Sequence, residues 1–300
     1  RYLSDDIVKE LLDTPNGLAL GGKKRSLTVM MSDLRGFTAM SEKMDPQKLI
    51  TMLNHYLGEM TEIIEKRKGS IIEFLGDGIF AIFGAPLELE NHASNAVAAA
   101  VEMQMRMEEI NVWNETQGFP QLEMGIGINT GEVIVGNIGS ERRSKYGVMG
   151  SHVNLCGRIE SYTVGGQVLI SPLTRSMIKE PLTVMQEMEV MPKGVKSPLI
   201  LSHVTGIGGE YQLSYEQKEE ELEVLEQPKE VTFSLVKDKH NDKKENIGCI
   251  TALSKKEAIL VTDAEFKVVD DLVIMVDGKR FCKVIKKEND GWRIRFTAVQ

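Results

Sequence analysis

The apolar positions of this chain change period several times, and each change marks an element. Residues 26–32 (Ser-Leu-Thr-Val-Met-Met-Ser) are a run with β-strand character that ends at Asp33-Leu-Arg-Gly-Phe-Thr38. Asp45-Pro46 then opens a long amphipathic helix to about Lys66, proline being suited to a first helical turn. Residues 70–83 give two apolar runs about Gly76-Asp77-Gly78, a hairpin, and residues 91–114 a helix rich in Ala and Met. Met103, Met105 and Met107 on that helix read as core filler rather than a special site. Residues 121–129 alternate as a strand, Thr130-Gly131 reads as a turn, and residues 132–138 as the hairpin partner. A helix over 151–162, a strand over 167–171 and strands near Val184 and Leu199 complete the set. That order predicts an α+β sheet with helices on one face.

Either side of this core the pattern differs. Residues 2–12 read as the end of a helix, broken by Thr14-Pro-Asn-Gly17. At Tyr215 the composition shifts to Gln217-Lys-Glu-Glu-Glu-Leu-Glu, a charge-dense connector. Beyond it, short β-type runs at 231–236, 247–253, 258–262, 272–276, 281–286 and 292–299, with turns at Asp277-Gly278 and Asn289-Asp-Gly291, predict a small all-β barrel or sandwich. The expected division is a linker or transducing segment over 1–25, a first domain over 26–214, an acidic linker over 215–229 and a small β-barrel-like domain over 230–300.

Charge narrows the partners. A formal net charge of -8 over 300 residues argues against a broad basic face for nucleic acid and leaves a small anion as the expected ligand. Cys156, Cys249 and Cys282 have no C-x-x-C spacing, so neither a disulfide framework nor a zinc site is expected, and a cytoplasmic setting fits. No apolar run approaches the roughly 20 residues of a membrane-spanning helix. The chain opens on Arg1 rather than Met, so a fragment is expected, with sensor or membrane segments expected upstream.

The polar residues inside apolar runs carry the candidate chemistry. Asp33 and Asp77 each end a strand in a glycine-containing turn, where carboxylates hold divalent metal and backbone amides receive phosphate oxygens. Spacing alone leaves two solvated turns as the plainer alternative. If a helix begins near Ser151, Asn154 and Arg158 lie four apart on one face and aim an amide and a guanidinium at one spot. The plainer alternative there is a capped surface helix with Arg158 paired to an acid. Glu73 sits inside a run of Ile and Phe, where turn chemistry does not account for it.

Asp33-Leu-Arg-Gly-Phe-Thr, Phe74-Leu-Gly-Asp77-Gly-Ile-Phe-Ala-Ile-Phe-Gly84, Gly125-Ile-Gly-Ile-Asn-Thr-Gly131 and Val153-Asn-Leu-Cys-Gly-Arg158-Ile-Glu-Ser resemble, in order, the successive motifs of the class III nucleotidyl cyclase catalytic domain. The resemblance covers about residues 26–206, and Gly21-Gly22 resembles the lead-in of bacterial members. It implies a ferredoxin-like, palm-type fold working as a head-to-tail homodimer, with two sites at the interface. Asp33, the Leu34 carbonyl and Asp77 would bind two divalent cations, Mg or Mn, and Gly36, Phe37 and Thr38 the substrate. The ribose 3'-hydroxyl would attack the α-phosphate in line and expel pyrophosphate without a side-chain base. The other chain would bring Asn154 to the ribose, Arg158 to the phosphorus and Lys193 to the triphosphate, with Lys196 close enough to compete for that role. Ser151-His152 departs from the family pattern, which usually has Asp after the glycine; His152 is read as a surface residue without a role.

The family reads its base at two positions that match Glu73 and Gly147. Adenine offers an acceptor at N1 and a donor at N6, and adenylate-forming members place Lys and then Asp or Thr there. Guanine offers donors at N1 and N2 and an acceptor at O6, so a carboxylate at Glu73 fits GTP and repels adenine. Gly147 supplies no donor toward O6, where eukaryotic guanylate cyclases have Cys, although some bacterial members pair Glu with Gly. The expected activity is therefore a guanylate cyclase, with adenylate cyclase and a silent nucleotide-binding module as alternatives. The tail faintly resembles PilZ-type barrels but lacks their paired arginines, and no ligand is assigned to it.

Overall fold

The alternation of residues 26–32 extends further than its apolar run. In the computed structural model β1 spans Gly21–Leu34, because Gly21–Arg25 already pair with Val133–Asn137 of the long strand β4, Met124–Ser140. The structure describes Val8 and residues 19–217, 219–237, 240–241, 245–289 and 291–299. The segments expected at 2–12, apart from Val8, and at 14–17 lie outside the described residues. The chain divides into a unit of residues 1–34 and 46–216 and a second of 35–45 and 217–300.

In the first unit β1 is the spine. It pairs antiparallel with β4 from Gly21↔Asn137 to Leu34↔Met124, and on its other side with β3, Gly78–Phe83, which pairs β2, Gly69–Leu75. Beyond β4 come β6, Val168–Ile170, in parallel, then β8, Leu199–Ile207, and β7, Leu182–Val190. Strand β5, Arg143–Met149, pairs the far half of β4, and β9, Leu213–Ser214, pairs β8.

Residues 121–138 are therefore not a hairpin. Thr130-Gly131 runs straight through β4, and the true partner strand is β5, reached past Ser140. Glycine at 131 serves close approach, not a turn.

Helix α2, Pro46–Lys66, buries Met52, Tyr56, Met60, Ile63 and Ile64, a stripe at helical spacing. Helix α3, His92–Thr116, is buried on most sides, with Met103 and Met107 in the core and Met105 exposed. Both meet the face of β4 that carries Met124, whose sulfur receives the Tyr56 hydroxyl at 3.2 Å and whose carbonyl receives the Gln104 amide at 2.9 Å. Helix α4, Ser151–Tyr162, lies on the opposite face, against Gly127 and Gly131. The sheet is thus covered on both faces rather than one, with a second core of Leu27, Val29, Ile82, Val133, Val153 and Cys156 under α4. The short helix α5, Pro172–Met177, is capped by Ser171, whose hydroxyl accepts from Thr174 N at 3.2 Å.

The second unit contains α1, Phe37–Ser41, and the C-terminal strands. Those are β10, Glu223–Lys237; β11, His240–Asn241; β12, Asn246–Leu253; β13, Glu257–Val261; β14, Asp271–Met275; β15, Lys279–Glu288; and β16, Gly291–Val299. The order β10-β12-β13-β16-β15-β14 closes antiparallel on β10, a six-stranded barrel with β11 appended. Strand β10 starts inside the expected acidic linker; its register breaks between Val224 and Lys229, the stretch that holds Pro228, which has no N–H for the ladder. Phe233, Phe266 and Trp292 meet edge to face in the core, and Glu257 takes Arg293 at 2.6 Å and Arg295 at 2.8 Å in a buried ion group.

Candidate active site

Asp33 and Asp77 converge because β1 and β3 pair. Ser32 lies opposite Ile79, which sets Asp33 beside the β2–β3 turn, and that turn reverses through Gly76 at a left-handed φ of 69°. Gly78 lets the strands close up: a Cβ there would stand 2.8 Å from the Ser32 carbonyl oxygen and 3.4 Å from Asp33 Oδ1. Asp77 Oδ2 accepts the Leu34 N–H at 3.1 Å. Burial, and then the Asp33 carboxylate, push the Asp77 acid up to about 6, against the lowering effect of backbone donors. A carboxyl whose acidity is weakened by burial and by a second carboxylate beside it suits a hard divalent cation, whose charge would relieve the repulsion. No group of three or more His, Cys, Asp or Glu positioned for a metal occurs among the described residues, so a bound cation would draw its remaining ligands from carbonyls, water and substrate oxygens.

Glu73 is turned by a bulge. Ile71 pairs Ala81 but Glu73 pairs Phe80, so Ile72 is extra and Glu73 takes the face its neighbour would have had. The carboxylate is exposed and receives the Lys145 ammonium at 2.7 Å. Lys145 and Gly147, two apart on β5, share a face, opposite Ile138 and Gly136. The Glu73 and Gly147 positions are thereby brought together through a lysine that the sequence motifs did not single out. Its i, i+2 spacing from Gly147 was the available signal. A Cβ on Gly147 would meet Ile138 Cδ1 at 3.4 Å, ordinary contact, so the glycine is not demanded by packing.

Helix α4 carries Asn154, exposed, and Arg158, half-buried. Arg158 donates to the Lys193 carbonyl, and the Gly194 Cβ position is 3.5 Å from its Nη1, so its partner is the β7–β8 loop rather than an acid. Arg158 and Lys193 are thus brought together within one chain; Lys196 has no such link to Arg158. His152 is half-buried rather than on the surface, its ring over Gly131. After Leu34, Arg35 and Gly36 form a turn and Phe37 and Thr38 start α1, in the segment that groups with the second unit.

The family profile "Adenylate and Guanylate cyclase catalytic domain" matches residues 22–203, and the chain belongs to that family. The crystal structure of the guanylyl cyclase Cya2 is 50% identical, with a TM-score of 0.63 over 65% of this chain and 99% of that one. The adenylyl cyclase CyaB from P. aeruginosa is 35% identical, with a TM-score of 0.59 over 62% of this chain and 97% of that one. Adenylate cyclase 1 of Rhizobium meliloti (strain 1021) is 28% identical over 208 residues, 69% of this chain but 31% of the relative, so this chain spans about a third of that protein. No helix among the described residues is long and apolar enough to cross a membrane.

Proposed function

We propose that this chain is a guanylate cyclase, converting GTP to 3',5'-cyclic GMP and pyrophosphate as a head-to-tail homodimer. The observation that carries the choice of base is the exposed Glu73 carboxylate at the bulged end of β2, beside Lys145 and Gly147. A carboxylate there accepts guanine N1–H and N2–H. Adenine would set its N1 lone pair against the negative charge, a mismatch of a few kcal/mol. The 50% identity to Cya2, a guanylyl cyclase by name, supports the same choice.

In this reading the ribose 3'-oxygen bonds to the α-phosphorus, the α–β phosphoanhydride bond breaks, pyrophosphate leaves, and the 3'-hydroxyl proton passes to solvent. Two divalent cations, Mg or Mn, held by Asp33, the Leu34 carbonyl and Asp77, would supply charge neutralisation and an acidified 3'-hydroxyl. Gly36, Phe37 and Thr38 offer backbone donors to the phosphates. Asn154 orients the ribose, Arg158 stabilises charge on the pentavalent phosphorus and Lys193 the triphosphate.

Glu73, Lys145, Asn154, Arg158 and Lys193 then serve one site while Asp33 and Asp77 of the same chain serve the other. Exposed apolar residues fit such pairing: Phe74 and Leu75 at the end of β2, and Ile134 opposite Met149 on β4 and β5. The test is a paired assay of purified protein with GTP and ATP under Mg and Mn. Cyclic GMP formation is expected to dominate. Dominant cyclic AMP would establish the adenylate cyclase reading, which Rhizobium meliloti adenylate cyclase 1 favours, and binding without turnover would mark a silent regulatory module.

A further inference from the structure

Helix α4 starts without a side-chain cap, since Gly150 precedes it, so its first turn must be held from elsewhere. The hold comes from the strand beneath. Positions 127, 129 and 131 of β4 point to one face, and the outer two are glycines over which the helix passes at contact distance. A Cβ on Gly127 would stand 2.3 Å from Glu160 N, and one on Gly131 2.2 Å from His152 Cγ. Four strand residues span ~13 Å and eight helix residues ~12 Å, so the glycines underlie both ends of one straight contact. Between them stands Asn129, 1% exposed. Its Nδ2 donates to the His152 carbonyl at 2.8 Å and lies 3.3 Å from His152 Nδ1.

We propose that Asn129 is a positioning residue of the cyclase reaction: its amide, acting on His152 across the glycine-cleared strip of β4, fixes the height and register of α4. Asn154 and Arg158, two and six residues on, take their places from that register. The inference rests on the reading that those two side chains act on ribose and phosphorus, but not on which base is used. Asn129 touches no substrate, and the base-reading and metal-holding residues stand on other strands. Its loss therefore acts on the transition state, where placement within 1 Å matters, and not on ground-state binding.

The experiment is a double-mutant cycle with the full chain and whichever nucleotide the wild-type protein turns over faster. Asn129→Ala is expected to lower kcat about 10-fold with KM within about twofold. Arg158→Ala lowers kcat on its own, and adding Asn129→Ala to it is expected to cost less than about twofold more. Asn129→Asp, which keeps shape but removes the donor, should match the alanine variant. Gly131→Ala, which drives the His152 ring away, gives the same kcat loss at constant KM if the position 129 variants fail to fold. Unchanged kcat in every folded variant, a loss confined to KM, or losses that multiply independently of Arg158 would overturn the inference alone. An Arg158→Ala variant with wild-type kcat would overturn the site reading and this inference with it.

Discussion

The Lys145 ammonium sits 2.7 Å from the Glu73 carboxylate, joining β5 to the bulged end of β2. Both side chains are solvent-accessible, Lys145 60% and Glu73 44% exposed, so the pair contributes little to stability; its consequence is local. It holds a donor two residues from Gly147, on the face that the proposed reading gives to guanine O6. Lys145→Met is expected to lower kcat/KM for GTP about 10-fold, the worth of one charge-assisted hydrogen bond, and to leave the melting temperature nearly unchanged. Kinetics with inosine triphosphate, which keeps O6 but lacks N2, should show the same loss; an unchanged GTP value would remove Lys145 from base reading.

The acidity of Asp77 gives a stability prediction of opposite sign to its functional one. Its folded value, about 6, lies above the ordinary 3.8, so the folded protein holds this proton more tightly than the unfolded chain. The associated stability is present at low pH and is lost as pH rises through about 6. At pH 7.5 in chelator, Asp77→Asn is expected to melt higher than wild type, by about 2 °C after solvent screening, while losing nearly all activity. Millimolar Mn should raise the melting temperature of the wild type and not of the variant. A lower melting point for the asparagine variant would contradict the electrostatic account.

What was legible in the sequence follows from what a side chain signals by itself. An acid inside an apolar run, as at Glu73, or at a strand end, as at Asp33 and Asp77, stands out against its neighbours. The i, i+4 pair Asn154 and Arg158 needed only the right helix start, which the structure places at Ser151. Glycine is ambiguous: Gly131 reads as a turn, yet it serves close packing of His152. The same ambiguity hid the covered second face of β4, where Gly127, Asn129 and Gly131 show no apolar alternation because the helix packs close on the two glycines. The bulge at Ile72 and the reach of Lys145 depend on pairing between distant strands, which local pattern does not encode. The cap of α5, Ser171-Pro172, did carry a signal at the N-terminus of that helix.

Acid sensitivity is predicted from the other side of the sheet core. His203 is 1% exposed, and burial lowers its pKa from 6.5 to about 4; His92, bonded to Thr28 Oγ1 at 2.7 Å, is lowered by burial as well. The unfolded chain takes up these protons first. The stability His203 confers is complete above about 6.5 and is lost as pH falls toward 4, at up to ~1.4 kcal/mol per pH unit, and His92 contributes in the same direction. Chemical denaturation between pH 7 and 4.5 should show this slope, and His203→Asn should flatten it by close to one proton. Equal slopes for the two proteins would show that His203 takes up its proton equally in the folded and unfolded states.

Base choice can be reversed at Glu73 and Gly147, with Lys145 exchanged beside them, if the first two read the base as proposed. Glu73→Lys replaces the acceptor facing guanine N1–H with a donor suited to adenine N1, and Gly147→Thr adds a hydroxyl that accepts from adenine N6. The geometry tolerates the second change, since a Cβ at 147 comes no nearer than 3.4 Å to the end of Ile138 and 3.9 Å to the Lys145 carbonyl oxygen. The first change also sets two ammonium groups together, because Lys145 loses its carboxylate partner, so the single variant is expected to lose GTP turnover without gaining full ATP turnover. Adding Gly147→Thr and Lys145→Gln should relieve that repulsion and complete the exchange, moving the ATP-to-GTP ratio of kcat/KM by at least ~100-fold. A combined variant that still prefers GTP would place base discrimination elsewhere in the pocket, whatever its overall activity.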